Sequence, residues 1–164
     1  MNKLLRIGIL VFIFLGISTL FGIISGIALN NNIADYVIEL KIQKSKTNMQ
    51  PSNWIDDNEI HVYKSGVIIK KEDILRGRVK GTGSMLPLIN KNCTLLYYVP
   101  KSKNDIKIGD IIVFEKGNFL NKKDIVHRVV NKTNEYFYAK GDNGNKIDKI
   151  KYNDIQYVVV GILY

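Results

Sequence analysis

The hydrophobic pattern divides the chain into an N-terminal apolar run and a longer segment of alternating character. Ile7–Leu29 comprises 23 residues without a charge. As an α-helix this run would be roughly 35 Å long, enough to cross a hydrocarbon core of about 30 Å. The apolar part of a cleavable signal peptide is shorter, about 7–15 residues, so the pattern favours an uncleaved transmembrane anchor. Lys3 and Arg6 precede the run and favour a cytoplasmic N-terminus.

The rest of the chain predicts a mainly β fold. Short runs rich in β-branched and aromatic residues alternate with turns rich in Gly, Asn, Asp and Lys. The predicted strands are Glu59–Tyr63, Val67–Lys71, Gly77–Lys80, Thr94–Val99, Asp110–Phe114, Ile125–Val130, Glu135–Lys140 and Gln156–Leu163. We therefore predict four segments: residues 1–6 are a short basic terminus, 7–29 the anchor, 30–57 a polar connector and 58–164 a β-rich domain.

Charge and cysteine content narrow the classes of partner. The chain has 164 residues and a formal net charge of +9, which suits nucleic acid, anionic lipid or simple solubility. No helix-turn-helix, zinc-knuckle or aromatic RNA-binding pattern accompanies the charge, so we expect a lipid bilayer as partner and no nucleic acid. Phe119 and Leu120, among lysines in the loop Gly117–Lys123, either contact that bilayer or cover the domain's own core. Cys93 is the single cysteine, so no disulfide can form within the chain.

A glycine-rich turn presents a candidate nucleophile. In Gly81-Thr82-Gly83-Ser84-Met85-Leu86-Pro87, two glycines bracket a threonine and lead into a serine. Glycine permits the tight backbone that exposes a side chain and nearby amides to a substrate. A serine hydroxyl is a weak nucleophile at neutral pH and needs a neighbouring base. Without such a base, the segment is an ordinary turn.

A histidine and an acidic loop could complete such a site. Alternation along the predicted strand Ile125–Val130 places His127 on the same face as Ile125 and Val129. The segment Lys140–Asp148 follows as a Gly/Asn/Asp loop that contains Asp142 and Asp148. One of these aspartates could orient the histidine, as the third member of a catalytic triad does. The alternatives are a core histidine and a plain loop, since calcium would need more carboxylates than these two.

Together the segments resemble type I signal peptidases. Ser84-Met85-Leu86-Pro87 is similar to the family's Ser-Met-x-Pro box, and Gly109–Phe114 is similar to its Gly-Asp-Ile-Val-Val-Phe strand. His127-Arg128-Val129-Val130 stands where most bacterial members carry Lys-Arg-Val, and Gly141-Asp142-Asn143 is similar to the Gly-Asp-Asn box. The boxes occur in family order between Lys80 and Gly161. The histidine is similar to the archaeal, endoplasmic-reticulum and minor Gram-positive branch, which uses Ser, His and Asp.

The resemblance implies a role for each matching residue. Ser84 would be the nucleophile and His127 the general base. Asp148, six positions after Asp142, would orient His127, with Asp142 in a supporting role. The chain departs from the branch at Gly144 and Lys149, so Asp142 stays open as the alternative orienting residue. Thr82 and the Ser84 amide would form the oxyanion hole, and Met85 is a candidate for lining a substrate pocket.

The implied protein is a membrane-bound serine endopeptidase with a signal-peptidase-like domain at residues 58–164. It would remove signal peptides from exported precursor proteins on the extracytoplasmic face of the membrane, without a cofactor or metal. Two glycosylation sequons, Asn92-Cys93-Thr94 and Asn131-Lys132-Thr133, lie beside the boxes and favour a prokaryotic plasma membrane. A self-cleaving repressor-type peptidase is disfavoured because that family carries a DNA-binding domain. The non-enzymatic alternative is a silent, membrane-tethered β module that binds a partner protein.

Overall fold

The computed structural model of the chain describes residues 33, 36–37, 49–117 and 121–164. Two compact units divide the chain, Met1–Ser45 and Lys46–Tyr164. The predicted anchor Ile7–Leu29 and the apolar pair Phe119 and Leu120 lie outside the described residues. Within the described residues alone, no helix is long and apolar enough to cross a bilayer.

The prediction of a mainly β fold is confirmed for residues 49–117 and 121–164. The strands are β1 Ile60–Tyr63, β2 Gly66–Ile69, β3 Leu75–Arg78, β4 Thr94–Tyr98, β5 Ile111–Lys116, β6 Lys123–Lys132, β7 Tyr136–Lys140, β8 Ile147–Lys151 and β9 Ile155–Leu163. Two short 3-10 turns, Asp57–Glu59 and Tyr152–Asp154, precede β1 and β9. Eight of these nine strands overlap predicted runs, and β3 begins and ends two residues before its predicted run Gly77–Lys80.

The strands form two antiparallel sheets. β1 and β2 make a hairpin, and the other seven strands follow the order β3-β4-β9-β5-β6-β7-β8. The last strand thus lies between β4 and β5, far from both in sequence. One core cluster includes Ile112, Phe114 and Val129, and a second includes Met85 and Leu95. The two clusters meet opposite faces of β5, where Ile112 and Phe114 belong to the first and Ile111 to the second, because successive side chains along a strand point to opposite faces.

One strand was missed in the sequence analysis. Residues 147–151 form β8, whereas the sequence predicted that the loop extends through Asp148. In β8 the buried positions are Asp148 and Ile150. An aspartate at a core-facing position breaks the expected alternation of apolar and polar residues, so the pattern there resembled a loop. β6 is also longer than predicted, because its first residues pair with the end of β5.

Asp110 anchors the segment that enters the β-rich unit. Its side chain is buried, and its carboxylate accepts hydrogen bonds from Ser52 N at 2.6 Å, Ser52 Oγ at 3.0 Å and Lys107 N at 2.8 Å. Beside it, the left-handed Gly109 (φ +107°) lies so close to Pro51 that a Cβ would be 2.9 Å from the Pro51 nitrogen. Gly109 and Asp110 therefore join the start of β5 to the segment around Pro51 and Ser52, which is distant in sequence.

We expect Asp110→Ala to lower the free energy of unfolding by about 2–4 kcal/mol. The substitution leaves the amides of Ser52 and Lys107 without their acceptor in a partly buried place, and such unsatisfied donors are costly. Chemical denaturation followed by circular dichroism measures the change. The matched control is Asp57→Ala, at an exposed aspartate, which should cost less than about 0.5 kcal/mol. Equal effects of the two substitutions would contradict this role for Asp110.

Candidate active site

The serine turn has the left-handed backbone that its two glycines permit. Gly81 and Gly83 are left-handed, with φ of +68° and +76°, a region that residues with a Cβ rarely adopt. Ser84 follows, half-buried, and its Oγ lies 3.2 Å from the Thr82 hydroxyl. Met85 anchors the turn from below, because its side chain is only 3% exposed and packs in the second core cluster. The backbone therefore presents Ser84 from a buried support.

His127 and Asp148 form a buried pair across the sheet. Nδ1 of His127 lies 2.9 Å from Oδ2 of Asp148, and the two side chains are 13% and 6% exposed. A carboxylate only accepts hydrogen bonds, so the Nδ1–H group donates and Nε2 is left as the acceptor of the neutral ring. β7 lies between the two strands, and its residue opposite Asp148 is Ala139. The small alanine side chain leaves room for this contact.

The surroundings of His127 favour its neutral form. Burial lowers the pKa of His127 below its usual value of 6.5, because the imidazolium ion loses hydration. The nearby carboxylate of Asp148 opposes this effect, and the positive charge of Lys116 adds to it. The ring of Phe114 covers one side, with its centroid 6.0 Å from that of His127. The imidazole is therefore held as a base with an unprotonated Nε2.

Ser84 and His127 meet at Gly141, the buried residue that follows β7. A Cβ placed on Gly141 would lie 3.1 Å from His127 Nε2, 3.1 Å from Ser84 Cβ and 2.6 Å from the Ser84 carbonyl oxygen. Nε2 and Ser84 Cβ are therefore no farther apart than twice 3.1 Å. Within the described residues the Ser84 hydroxyl pairs with Thr82 and not with Nε2. A change of the Ser84 side-chain rotamer redirects Oγ without moving the backbone.

Asp142 has a different partner from Asp148. Its carboxylate accepts two hydrogen bonds from the guanidinium of Arg128, at 2.9 and 2.8 Å. Arg128 also donates to the Gly109 carbonyl oxygen at 2.9 Å. Of the two aspartates left open by the sequence, Asp148 contacts His127, and Asp142 ties its loop to the strand beside it. The catalytic roles themselves stay predictions.

Asn143 makes two hydrogen bonds that could not be predicted from its place in the Gly-Asp-Asn box. Its amide N–H donates to the Ser84 carbonyl oxygen at 2.8 Å, and its side-chain Nδ2 donates to the Gly83 carbonyl oxygen at 3.2 Å. These bonds join the Gly-Asp-Asn loop to the serine turn. The sequence Asn143-Gly144 is typical of a turn, so a turn could be predicted there. The partner of the Asn143 side chain, Gly83, could not be predicted because it lies 60 residues away.

The remaining site predictions can also be placed. The hydroxyl of Thr82 is exposed beside Ser84, where the predicted oxyanion hole requires a donor. Met85 was expected to line a substrate pocket, yet in this structure its side chain lies in the core and offers almost no surface. Among the described residues, no group of three or more His, Cys, Asp or Glu side chains could hold a metal ion.

Relatives do not inform the site. Protein-family models, curated proteins and solved structures were each compared with the chain, and none matches it. The function is therefore inferred from the geometry of these residues.

Proposed function

We propose that the chain is a membrane-bound serine endopeptidase of the signal-peptidase type. The observation that carries the proposal is that Ser84 and His127 Nε2 come together at the buried Gly141, while Nδ1 of the same histidine contacts Asp148. A half-buried histidine with its Nδ1 on a carboxylate and its Nε2 near a serine is the arrangement that serine hydrolases use. The resemblance to signal peptidases in the order of four sequence boxes supports the choice of substrate.

The chemistry would be acyl transfer. Ser84 Oγ turns from Thr82 toward Nε2 of His127, which takes its proton as Oγ attacks the scissile carbonyl carbon. The Thr82 hydroxyl and the Ser84 amide donate to the oxyanion, and one such donor is worth about 2.7–4 kcal/mol in comparable sites. His127 then passes the proton to the leaving amine, and water hydrolyses the acyl-enzyme by the same steps in reverse. In this structure the Ser84 hydroxyl is not hydrogen-bonded to Nε2 of His127. This is compatible with the mechanism, because catalytic hydrogen bonds often form or tighten only when substrate binds.

The substrates would be exported precursor proteins, bound in an extended conformation. An extended peptide can bind by adding a strand to backbone groups beside the site. The proposed setting is the extracytoplasmic face of a plasma membrane, with the lipid bilayer as the second partner. The acyl group passes from the peptide to Ser84 and then to water, and neither step needs a cofactor.

The experiment is cleavage of a precursor by the full chain in detergent. The purified protein is mixed with exported precursors that carry an apolar N-terminal segment, and the products are identified by mass spectrometry. We expect one cut at the end of the apolar segment, which Ser84→Ala abolishes. If every precursor stays intact, or the Ser84→Ala variant cleaves equally well, the proposal fails. Binding of precursors without cleavage by either protein would favour the silent module.

The pH dependence of activity should show an acid limb below pH 6.5. Cleavage requires neutral His127, and burial lowers the pKa of this residue from 6.5. The midpoint of the acid limb therefore lies below pH 6.5, and activity rises toward its plateau as the pH increases past it. The profile of kcat/KM between pH 4 and 8 measures this. A midpoint above 6.5 would show that another group, or a more exposed histidine, controls the reaction.

Gly141→Ala should lower kcat by about a hundredfold or more while the domain stays folded. The added methyl group would lie 2.6 Å from the Ser84 carbonyl oxygen and 3.1 Å from Nε2, so the serine turn and the imidazole must separate. Displacements of this size near the reacting atoms are costly. The matched control is Gly144→Ala, three residues on, whose Cβ would meet only the Gly141 oxygen, at 3.9 Å. Similar activity in the two variants would place the reacting groups elsewhere.

A further inference from the structure

Lys116 is the second partner of the Asp148 carboxylate, and neither the sequence boxes nor the triad uses it. Lys116 is the last residue of β5, and its Nζ donates to Oδ1 of Asp148. The other oxygen, Oδ2, receives Nδ1–H of His127. The two oxygens of one buried carboxylate therefore have separate cationic and imidazole partners. About half of the lysine side chain is exposed, so the pair lies at the edge of the site.

The register explains why this lysine points toward the site. Ile112, Phe114 and Lys116 are alternate residues of β5 and share one face, and Ile112 pairs directly with His127. Lys116 itself pairs with Lys123. Two like charges directly opposite each other destabilise a strand pair. The carboxylate of Asp148 offsets this repulsion, so the lysine has a physical reason to bind there.

We propose that Lys116 is a positioning residue, whose ammonium group fixes the Asp148 carboxylate so that Oδ2 faces Nδ1 of His127. The inference rests on the proposed function for its catalytic consequence. Without Lys116, the remaining hydrogen bond of this carboxylate among the described contacts is the one from His127, and the carboxylate can rotate about its side-chain torsion. The imidazole would then lose part of the constraint that keeps Nε2 directed toward Ser84.

Lys116 also contributes to the charge around His127. The ring of Phe114 from β5 lies beside the imidazole, and the charges that act on it come from Lys116 of β5, Asp148 of β8 and Asp142 of the loop after β7. Among these three charges, the lysine disfavours the imidazolium and the two aspartates favour it. Removing the lysine charge alone raises the pKa of His127, whereas losing the Asp148 contact lowers it. The tautomer of the ring therefore reports the positioning, and the sign of a pKa shift does not.

The test compares Lys116→Met, Lys116→Arg and Lys122→Met in the full chain in detergent. Histidine side-chain resonances are titrated by NMR, and the chain contains just two histidines. His61 in the β1–β2 hairpin serves as the internal reference. Lys122 is the matched control, because it lies in the connection between β5 and β6 and its Nζ donates to Glu115 instead of Asp148. Precursor cleavage is measured on the same samples.

For Lys116→Met we expect the imidazole resonances of neutral His127 to change from the Nδ1–H tautomer to a mixture of both tautomers, and a loss in kcat of about tenfold to a hundredfold with KM little changed. Lys116→Arg should keep the Nδ1–H tautomer and most of the activity, and Lys122→Met should match the unsubstituted chain. An unchanged Nδ1–H tautomer of His127 in Lys116→Met overturns the inference. A mixture of tautomers in a protein that cleaves no precursor supports the inference and rejects only the proposed function.

Discussion

Ser84→Ala and His127→Ala should each lower the rate of precursor cleavage by about 10⁴-fold or more, with the protein still folded. The two residues act as one unit, because the hydroxyl needs the imidazole to become a nucleophile and the imidazole alone attacks nothing. Removing either member should therefore cost about as much as removing both. Ser84 is half-buried and the His127 side chain is 13% exposed, so neither truncation removes a fully enclosed side chain.

The chain supplies matched controls for both substitutions. Ser65 lies in the turn of the β1–β2 hairpin, and His61 lies in β1, and that hairpin is a separate sheet. Ser65→Ala and His61→Ala should leave activity nearly unchanged. Initial cleavage rates measure activity, and thermal unfolding confirms that all four variants are folded. If His61→Ala were as damaging as His127→Ala, the base would have been assigned to the wrong histidine.

Asp148→Asn should cost about 10³–10⁴-fold in kcat, and Asp142→Asn about tenfold at most. The amide of an asparagine can donate to Nδ1 and thereby stabilise the wrong tautomer, with the proton on Nε2. Asp142 contacts Arg128 in a partly exposed ion pair, and such pairs contribute little. Its loop also keeps the two bonds from Asn143 to the serine turn.

Steady-state kinetics of the two asparagine variants measure the contrast. Asn substitution preserves the size of each side chain, so the comparison separates tautomer control from packing. Equal losses, or a larger loss for Asp142→Asn, would make the Arg128-linked aspartate the orienting residue. A loss of folded structure in Asp148→Asn would be visible by circular dichroism, and the comparison would then use Asp148→Glu, which keeps the charge.

Strand positions could largely be predicted from the sequence because runs rich in β-branched and aromatic residues are separated by turns rich in Gly, Asn, Asp and Lys. The hairpin at Lys64–Gly66 and the strand around His127 are examples. β8 could not be predicted in this way, since Asp148 takes a core-facing position that an apolar residue would normally fill. The order of the seven strands was also out of reach, because the position of β9 between β4 and β5 depends on long-range pairing.

The site was predictable where short motifs carry the chemistry and unpredictable where it depends on contacts between segments that are distant in sequence. Ser84 and His127 could be named from local sequence. The choice between Asp142 and Asp148 could not be made from the residues alone, since it depends on which side chain reaches over Ala139. Arg128, Asn143 and Lys116 were missed for the same reason, because their contacts join segments 14 to 60 residues apart.

The most direct measurement is the identification of the residue that reacts with a serine-directed fluorophosphonate. The full chain in detergent is incubated with the reagent, digested and analysed by mass spectrometry, and the rate of labelling is followed with pH. We expect a single adduct on Ser84, labelling that His127→Ala slows by about a hundredfold or more, and an acid limb below pH 6.5. An adduct on another serine, or Ser84 labelling at the same rate without His127, would contradict the assignment of Ser84 as a nucleophile activated by His127.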